Sequence, residues 1–347
     1  MHTNWIGSDN FWGAIDDARN GKIDMAISKL EKELIVEPDD IICELMIEIL
    51  RSDLDANSAK KRAMLYKSQI HVEAYAHIAK SPVVSNLHLA ANNIMVDMIN
   101  KEDPITIIDI GIGPGEQMVK LVSALRNSGY QGTIDIFGID ISEQMIEKSS
   151  IKLSKLPDVR TQFMLGKFED IPIKDIRKIL GNTQISALVA SISIHHVPRA
   201  KKVDLLRKIR LIDPRLFVLG EVNSDHEDYL EYMSDKYIYN LRRFFLNVHW
   251  GLIDSTDDLR LREQYKCFNT SESLVMLAAK NPQEREDWHT DAENWINLIE
   301  SSDMRVISSK SEWMNNLSDE ASREHKYIST YQNNGQKIFF AVAAKMS

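Results

Sequence analysis

Apolar residues recur at helical spacing through the first hundred residues, which predicts a helical N-terminal region. The clearest apolar stripe consists of Ile23, Ile27, Leu30 and Leu34. Three more helices are predicted, over residues 41–50, 59–79 and 86–99. Because proline does not continue a helix, the Ser81-Pro82 pair is expected to end the third of these four helices.

From residue 105 onward the apolar residues fall into short runs that alternate with helical stretches. Five runs predict strands, over residues 105–109, 133–140, 161–166, 186–192 and 216–225. Ile105, Ile107 and Ile108 are β-branched, as expected of a strand buried on both faces of a parallel sheet. Near the end come a helix opened by a capping box at Thr290, a short strand over 305–308 and a hairpin over 327–344. The alternation predicts an α/β fold with a mostly parallel sheet and a C-terminal antiparallel hairpin.

Three glycines at alternate positions follow the first strand and precede a helix. Gly111, Gly113 and Gly115 come shortly after Asp109, and the apolar residues behind them are spaced as in a helix. This order lets a backbone approach a ligand beyond the carboxyl end of the strand. Glu116 stands where a dinucleotide-binding turn has its third glycine, and its carboxylate would oppose a pyrophosphate. The turn therefore favours a ligand without phosphate, and a glycine turn without any ligand is the alternative.

Asp140 ends the second predicted strand, one strand over from the glycine turn. A carboxylate at this place can accept both hydrogen bonds from a ribose diol. The alternative is that Asp140 only caps the next helix, since Glu143 stands at capping-box spacing from it, and Ser142 is a competing cap. Ribose binding is the favoured interpretation.

Polar side chains follow the fourth and fifth predicted strands, where parallel sheets expose ligand sites. Ser191, His195, Glu221 and Asn223 are expected to gather there. If the ligand presents a hydroxyl, His195 or Glu221 is the candidate general base, and His195 is preferred to His196 because it comes sooner after the strand. A hydrogen bond at a helix start is the alternative role for a histidine. No third metal ligand stands at a recognisable spacing, so no metal is predicted.

Residues 229–250 carry an amphipathic stripe with additional aromatic side chains. The stripe consists of Leu230, Met233, Tyr237, Leu241, Phe244 and Val248. Such spacing indicates core packing first, and amphipathic aromatics that roof a substrate pocket second. We expect this segment and the N-terminal helices to form one cap.

Composition narrows the classes of function. The chain has 347 residues and a formal net charge of −9, with 42 Lys and Arg against 51 Asp and Glu. Without a large basic stripe, a nucleic-acid backbone is not expected as a partner. Cys43 and Cys267 lie far apart in a cysteine-poor chain, which suggests a reducing compartment. No run reaches membrane-spanning length, so we expect a cytoplasmic protein without a membrane partner, and a homodimer is the candidate assembly.

Several blocks of this sequence resemble the GRAS family. SPVVSNLHLAANNIMVDM and ITIIDIGIGPGEQMVKLVSALRN are similar to the family's SPYxKFAHFTANQAIxEA and VHIIDFDIxQGxQWPxLxQAL blocks. RNGKIDMAISKLEKEL, FFLNVHWGLIDSTDD and TDAENWINLIESSDMRV resemble three further family blocks. The resemblance implies a Rossmann-like class I methyltransferase core with an α-helical cap. The implied regions are N-terminal cap helices over 1–100, a cofactor-binding core over 101–224, a cap insertion over 225–290 and a completion of the core sheet over 291–347.

The glycine turn is also similar to motif I of S-adenosylmethionine-dependent methyltransferases. Plant GRAS proteins are mostly transcriptional regulators with an eroded glycine motif, whereas this chain keeps its three glycines and Asp140. It therefore resembles a bacterial-type member that binds S-adenosyl-L-methionine and methylates a small molecule. The residues expected at the cofactor are Asp109, Gly111, Gly113, Gly115, Asp140, Ile141, Lys167, Phe168 and Ser191. Those expected at the substrate are His88, Asn92, Asn223, Asn247 and Trp250.

One residue departs from the methyltransferase pattern. Lys167 stands where many methyltransferases have an acid that meets the adenine amino group, and a cation cannot accept that hydrogen bond. Backbone contacts near Phe168 would survive the change. A regulatory module that binds the cofactor or a hormone-like ligand without turnover is the alternative function, and a nicotinamide oxidoreductase is a more distant one.

Overall fold

The computed structural model describes residues 9–36, 41–51, 55–70, 72–223, 256–278, 289–309 and 339–346. The chain divides into two compact units. One unit, the helical unit, comprises Met1–Ala74 and Asp225–Asp287, and the other, the α/β unit, comprises Tyr75–Ser224 and Trp288–Ser347. Each unit therefore contains two stretches that are distant in sequence.

Helices make up the described part of the helical unit. They are α1 (Asp9–Arg19), α2 (Ile23–Val36), α3 (Ile41–Leu50), α4 (Ala56–Gln69) and α11 (Leu259–Ala278), and α5 (Val72–Ile78) crosses into the α/β unit. α1 packs on α2, α2 on α3, and α11 on both α3 and α4. Phe11, Leu30 and Tyr265 are among the fully buried side chains of this unit, so α11 shares a core with the N-terminal helices.

Two predictions for these N-terminal helices were wrong in detail. The buried residues of α2 are Ala26, Leu30 and Glu33, so only Leu30 of the predicted stripe is buried, and Ile23 is 36% exposed. Glu33 tolerates burial because it accepts a hydrogen bond from Asn10 Nδ2 at 2.9 Å. The single helix predicted over 59–79 is two helices, α4 and α5, with Ile70 between them as a buried non-helical residue.

The next helix, α6 (Pro82–Met98), begins four residues earlier than predicted. Ser81 is its N-cap, and Pro82 occupies the first helical position, where a missing N–H costs nothing. The Ser81-Pro82 pair therefore starts one helix instead of only stopping another. α6 packs on α7 and on strands of the sheet, within the α/β unit.

The α/β unit alternates strands and helices as the sequence predicts. The strands are β1 (Ile105–Ile110), β2 (Ile134–Asp140), β3 (Val159–Leu165), β4 (Ala187–Ser191), β5 (Phe217–Val222), β6 (Met304–Ser309) and β7 (Phe339–Met346). The helices after α6 are α7 (Glu116–Asn127), α8 (Glu143–Leu153), α9 (Ile173–Leu180), α10 (Arg199–Ile212) and α12 (Ala292–Ser301), with a 3₁₀ turn at Phe168–Asp170.

These strands form one seven-stranded sheet in the order β3-β2-β1-β4-β5-β7-β6. Strands β1 to β5 are parallel, and β7 runs antiparallel to both β5 and β6. β1, β4 and β5 are buried at every position, which accounts for their continuous apolar runs. The predicted Rossmann-like α/β class with an antiparallel end is confirmed. The chain order reverses between β1 and β4, so their carboxyl ends flank the switch point at which such sheets bind ligands.

Some predictions fall outside the described residues. These are the amphipathic stripe over 229–250, with Asn247 and Trp250, and the first strand of the hairpin over 327–344. The strand expected near 305–308 is β6, and the second hairpin strand is β7. No helix in the described ranges is long and apolar enough to cross a membrane.

Deleting residues 1–80 should give an insoluble or molten protein. The deletion removes α3 and α4, the helices that cover α11, and so exposes apolar side chains such as Tyr265. Near-UV circular dichroism and the cooperativity of thermal unfolding measure the loss against the full-length chain. A truncated protein that melts cooperatively near the full-length temperature would contradict this expectation.

Candidate functional site

The glycine turn brings the loop after β4 into direct contact with the end of β1. Gly111, Gly113 and Gly115 all have positive φ, at 74°, 52° and 76°. A Cβ at Gly111 would lie 2.4 Å from Ser193 Cβ, and one at Gly115 would lie 2.7 Å from Ser149 Oγ. Both positions therefore require glycine for space as well as for conformation. Gly115 caps α7, which begins at Glu116 as the apolar spacing predicts.

Asp140 is bonded to the glycine turn. Its Oδ2 accepts a hydrogen bond from Gly113 N–H at 2.8 Å, and its Oδ1 accepts one from Ser142 N–H at 2.8 Å. The N-cap of α8 is Ser142, which accepts from Met145 N–H, so the interpretation of Asp140 as the helix cap is wrong. Burial raises the pKa of Asp140, against the lowering effect of these backbone N–H groups. Asp140 thus joins the ends of β1 and β2 at the turn.

A second acid, Asp109, lies fully inside the sheet next to Asp140. Asp109 is 2% exposed and pairs with Gly138 across the β1–β2 ladder. Burial first, and the negative charge of Asp140 second, raise the pKa of Asp109 to about 8. Near neutral pH this side chain is therefore a protonated acid that can donate a hydrogen bond.

The Glu116 carboxylate at the start of α7 has two cations beside it. Lys152 Nζ donates to Glu116 Oε1 at 2.6 Å, and Lys80 Nζ lies 3.5 Å from the same oxygen. These two cations compensate an acid at the entrance of the helix after the glycine turn. From the sequence, the Glu116 carboxylate is expected to oppose a bound pyrophosphate. In the structure, the same carboxylate is paired with these two lysines.

Lys167 and Phe168, the residues expected near the adenine, follow β3, and Phe168 begins a 3₁₀ turn that Lys208 holds in place. Phe168 is 3% exposed, whereas Lys167 is exposed to solvent. Lys208 Nζ donates to the carbonyl oxygens of Phe168 and Glu169 and lies 4.6 Å from the centre of the Phe168 ring. The backbone at Phe168 is therefore fixed from α10, which no local motif indicates.

Glu221, at the end of β5, holds the loop after β4. Its Oε1 accepts hydrogen bonds from Ser193 N–H and Ile194 N–H, each at 3.1 Å, and its Oε2 lies 3.2 Å from His195 Nδ1. Burial alone would raise the pKa of Glu221, but the His195 charge and these hydrogen bonds outweigh it and lower the pKa. Since the ionised carboxylate can only accept, Nδ1 of His195 is the donor.

The chain is strained where it enters this loop. Ile192 has φ of 49°, which is unfavourable for a β-branched residue. Ile192 N–H still donates to Gly220 O at 2.8 Å, and the next two N–H groups point at Glu221. Strain of this kind persists where surrounding contacts over-determine the backbone, and it concentrates at functional sites.

His289 is a residue of this cluster that the sequence did not indicate. It precedes the helix start at 290–292, and its ring stacks on His195 with centroids 4.6 Å apart and planes 15° apart. Thr290 is not the predicted cap of α12, because Asp291 accepts from Asn294 N–H and takes that place. Thr290 Oγ1 instead accepts from the buried Lys202 Nζ at 2.6 Å. No spacing in the sequence links these positions.

His195, Glu221 and His289 each offer a ligand atom, and these atoms lie within 4.8 Å of one another. The set is of the type that binds zinc. An imidazole lone pair lies in the plane of its ring, however, so two stacked rings direct their lone pairs along near-parallel planes that do not meet at one ion. The observed arrangement thus favours a hydrogen-bonded pair of His195 and Glu221 with the His289 ring stacked on it, and the prediction of no metal stays a prediction.

The remaining predicted residues have other surroundings. Asn92 and Gln117 exchange hydrogen bonds between α6 and α7, through Asn92 Nδ2 to Gln117 O and Gln117 Nε2 to Asn92 Oδ1. His88 is buried beside Lys120, and burial followed by that charge lowers its pKa to about 3. Asn223 Oδ1 accepts from Ala292 N–H at 3.0 Å, at the start of α12. Contacts of these three residues with a substrate stay a prediction.

The chain is similar to known proteins both in sequence and in fold. The model of the GRAS domain family matches residues 43–339. SCL7 of Oryza sativa has a crystal structure that covers 97% of this chain and 100% of its own, with a TM-score of 0.69 and 14% sequence identity. At that identity, the likeness is one of fold.

Structural neighbours also include S-adenosylmethionine-dependent methyltransferases. A putative one from Listeria monocytogenes has a TM-score of 0.41 at 14% identity and covers 75% of this chain and 98% of its own. The plantazolicin methyltransferase BpumL in complex with SAH has a TM-score of 0.45 at 12% identity and covers 83% of this chain and 95% of its own. An uncharacterised 37.1 kDa protein in transposon TN4556 of Streptomyces fradiae is 29% identical over 83 residues, which span 24% of this chain and 22% of that protein.

Asp109→Asn should change how stability depends on pH. Asp109 titrates near pH 4 in the unfolded chain and at about 8 when folded, so between these values the native state alone keeps the proton. Its contribution to the free energy of unfolding therefore falls as pH rises, by at most about 1.4 kcal/mol per pH unit.

Asparagine keeps the shape and one donor but does not titrate. The free energy of unfolding of Asp109→Asn, measured by urea denaturation, should gain on the wild type steadily from pH 5 to pH 8. Asp97→Asn, at an exposed position, serves as the control and should not show this trend. A difference between Asp109→Asn and wild type that does not vary with pH would contradict the raised pKa.

Glu221→Gln should move the His195 proton from one ring nitrogen to the other. The glutamine oxygen would keep the two backbone N–H donors, which leaves its NH₂ facing Nδ1 and reverses the donor. Long-range ¹H–¹⁵N spectra of the histidine rings, assigned by single histidine replacements, distinguish the tautomers. The exposed Glu300→Gln is the control, and an unchanged His195 tautomer in Glu221→Gln would show that Glu221 does not set it.

Proposed function

This chain belongs to the GRAS domain family, and we propose that it binds S-adenosylmethionine and transfers the methyl group to a small molecule. The observation that carries the proposal is Asp140, an acid at the end of β2 that is hydrogen-bonded to Gly113 of the glycine turn at 2.8 Å. At the switch point of the sheet, this pair offers a ligand both a backbone that it can approach closely, at Gly113, and an acceptor for the hydroxyl groups of a ribose, at Asp140.

The donor atoms around the turn suit such a ligand. A carboxylate has about four acceptor positions, and Gly113 and Ser142 use one on each oxygen of Asp140, so two are left for a ribose diol. Ser191 Oγ and Ser193 Oγ are buried without a hydrogen-bond partner among the described residues. Because buried hydroxyls normally find partners, these two favour a polar ligand group beside the turn.

Apolar and backbone groups are available for an adenine. Ile141 follows Asp140 and is 68% exposed, which offers an apolar surface to a flat ring. In this proposal the backbone of the turn at Phe168, which Lys208 holds through the carbonyl oxygens of Phe168 and Glu169, contacts the adenine without a side-chain acceptor at Lys167. Lys167 itself carries no role in this proposal.

When bound, S-adenosylmethionine would supply a methyl group on a positively charged sulfonium. An acceptor hydroxyl must lose a proton as it attacks, and His195 is the base that we propose for this. With Nδ1 donating to Glu221, the neutral ring carries its lone pair on Nε2, which can take the proton. Glu221 then stabilises the imidazolium and is a positioning residue, because both of its oxygens already accept protein donors and its pKa is lowered.

A regulatory module that binds the cofactor without turnover is the second candidate. The exposed Lys167, in the place of an adenine-binding acid, is compatible with it, because a cation cannot accept the hydrogen bond of the adenine amino group. The two functions share the binding site. A turnover assay separates them, because only the enzyme converts S-adenosylmethionine to its demethylated product.

Calorimetric titration should detect binding of S-adenosylmethionine and of its demethylated product, but not of NAD. Asp140→Ala should weaken that binding roughly 10- to 150-fold, since a hydrogen bond to a charged group contributes about 1.5–3 kcal/mol. Asp135→Ala is the matched control, because Asp135 lies on the same strand but pairs with Arg160. No binding of either sulfur nucleoside would end the proposal, and unchanged affinity in folded Asp140→Ala would remove Asp140 from the site.

His195→Ala should slow single-turnover methyl transfer to a hydroxyl acceptor about 10²- to 10⁴-fold while cofactor affinity barely moves. His196→Ala should leave the rate near wild type, because that ring is exposed to solvent and His195 is the histidine bonded to Glu221. Equal rates for His195→Ala and wild type would mean that alignment alone drives the transfer.

A further inference from the structure

His289 covers one face of the His195 ring. The two imidazoles are stacked, with centroids 4.6 Å apart and planes 15° apart, and His289 is 3% exposed. His196 lies on His195 as well, at 4.0 Å and 50°, but it is exposed to solvent. His289 is thus the buried and near-parallel neighbour of His195, and it has no part in the chemistry described so far.

The backbone that carries His289 is anchored on several sides. Lys202 is fully buried, donates from Nζ to Thr290 Oγ1 at 2.6 Å, and lies 5.0 Å from the centre of the Trp295 ring. Asn223, two residues after Glu221, accepts from Ala292 N–H. The residues directly after His289 are therefore tied to α10 and to the end of β5. A ring mounted there can hold another ring in a fixed orientation.

The bond between His195 and Glu221 does not by itself fix the imidazole. That hydrogen bond limits rotation of the ring about its Cβ–Cγ bond, but a hydrogen bond tolerates a range of angles, so the ring can still rock about Cβ–Cγ and move Nε2 through a short arc. A flat surface against the ring face removes this freedom, because rotation would bring the ring edge into the neighbouring π-system. Catalytic groups depend on such support from the residues behind them.

We propose that His289 is a positioning residue that fixes the plane of the His195 imidazole through stacking. Glu221 sets the tautomer of the His195 ring, and His289 keeps Nε2 of that ring pointing in one direction. The inference rests on the proposed function for its catalytic meaning, but the positioning can be measured without cofactor or acceptor. What matters is the flat face of His289, not its nitrogens. A flat ring that lacks nitrogens should therefore serve equally well.

The test follows the Nδ1–H proton of His195 in ¹⁵N-labelled full-length protein. In the wild type this proton should be visible and exchange slowly with water, with His195 in a single tautomer. His289→Phe keeps a flat face and should leave both properties unchanged. His289→Leu keeps bulk without a plane, and exchange of the proton should become roughly 2- to 10-fold faster, the factor that corresponds to an aromatic pair.

Each outcome bears on the inference. Unchanged exchange in His289→Leu would reduce His289 to ordinary packing and overturn it. Altered exchange in His289→Phe would show that the nitrogens matter, and this also overturns it, even if His289→Leu fails to fold. Titration of the wild type with Zn²⁺ provides a further arm, in which stoichiometric binding that shifts both the His195 and His289 signals would replace positioning by metal ligation. Calorimetry with S-adenosylmethionine on His289→Leu should give wild-type affinity, so failure of the inference and of the proposed function are distinguishable.

Discussion

A carboxylate that is 1% exposed must be compensated on every side, and this requirement shapes the centre of the α/β unit. Glu221 meets it with two backbone N–H groups of the loop after β4 and with the His195 ring. Because the same loop lies against Gly111, the hydrogen bonds of one side chain on β5 fix the geometry on both sides of the switch point. The strained φ of Ile192 is tolerated within this set of contacts.

The other two acids of the site, Asp109 and Asp140, differ from Glu221 in the direction of their pKa shift. Asp109 is buried beside Asp140, so its charged form is disfavoured at the pH where Glu221 is ionised. Hydrogen bonds and the His195 charge lower the pKa of Glu221, whereas burial raises the pKa of Asp140, and burial together with the Asp140 charge raises that of Asp109. A protonated buried acid costs native stability as pH rises, which is the kind of local cost that functional sites carry.

The helical unit illustrates where periodicity alone is insufficient. The stripe through Ile23 and Leu30 identified α2, but the buried face is rotated toward Ala26 and Glu33 because α1 and α3 pack there, and Asn10 satisfies the buried carboxylate. Likewise, Ser81-Pro82 is both a stop and a start signal, and the N-cap bond to Val84 N–H decides for the start. Local signals locate elements well, whereas the contacts of neighbouring helices choose the face and the boundary.

The sequence by itself determined the α/β class, the glycine turn and the approximate positions of β1 to β5, because these follow from residue spacing over short stretches of the chain. It also predicted that Asp140, His195 and Glu221 lie at or just beyond the carboxyl ends of strands, which is where the structure has them. Only the tertiary structure revealed His289 and Lys202, the partners of Glu116, and the use of Asp291 instead of Thr290 as the cap of α12. Except for the cap, which is a local contact, the physical reason is that these roles come from side chains that meet across the sheet or between helices, over sequence separations such as 36 residues for Glu116 and Lys152 and 88 for Lys202 and Thr290. No periodicity in one sequence encodes contacts at such distances.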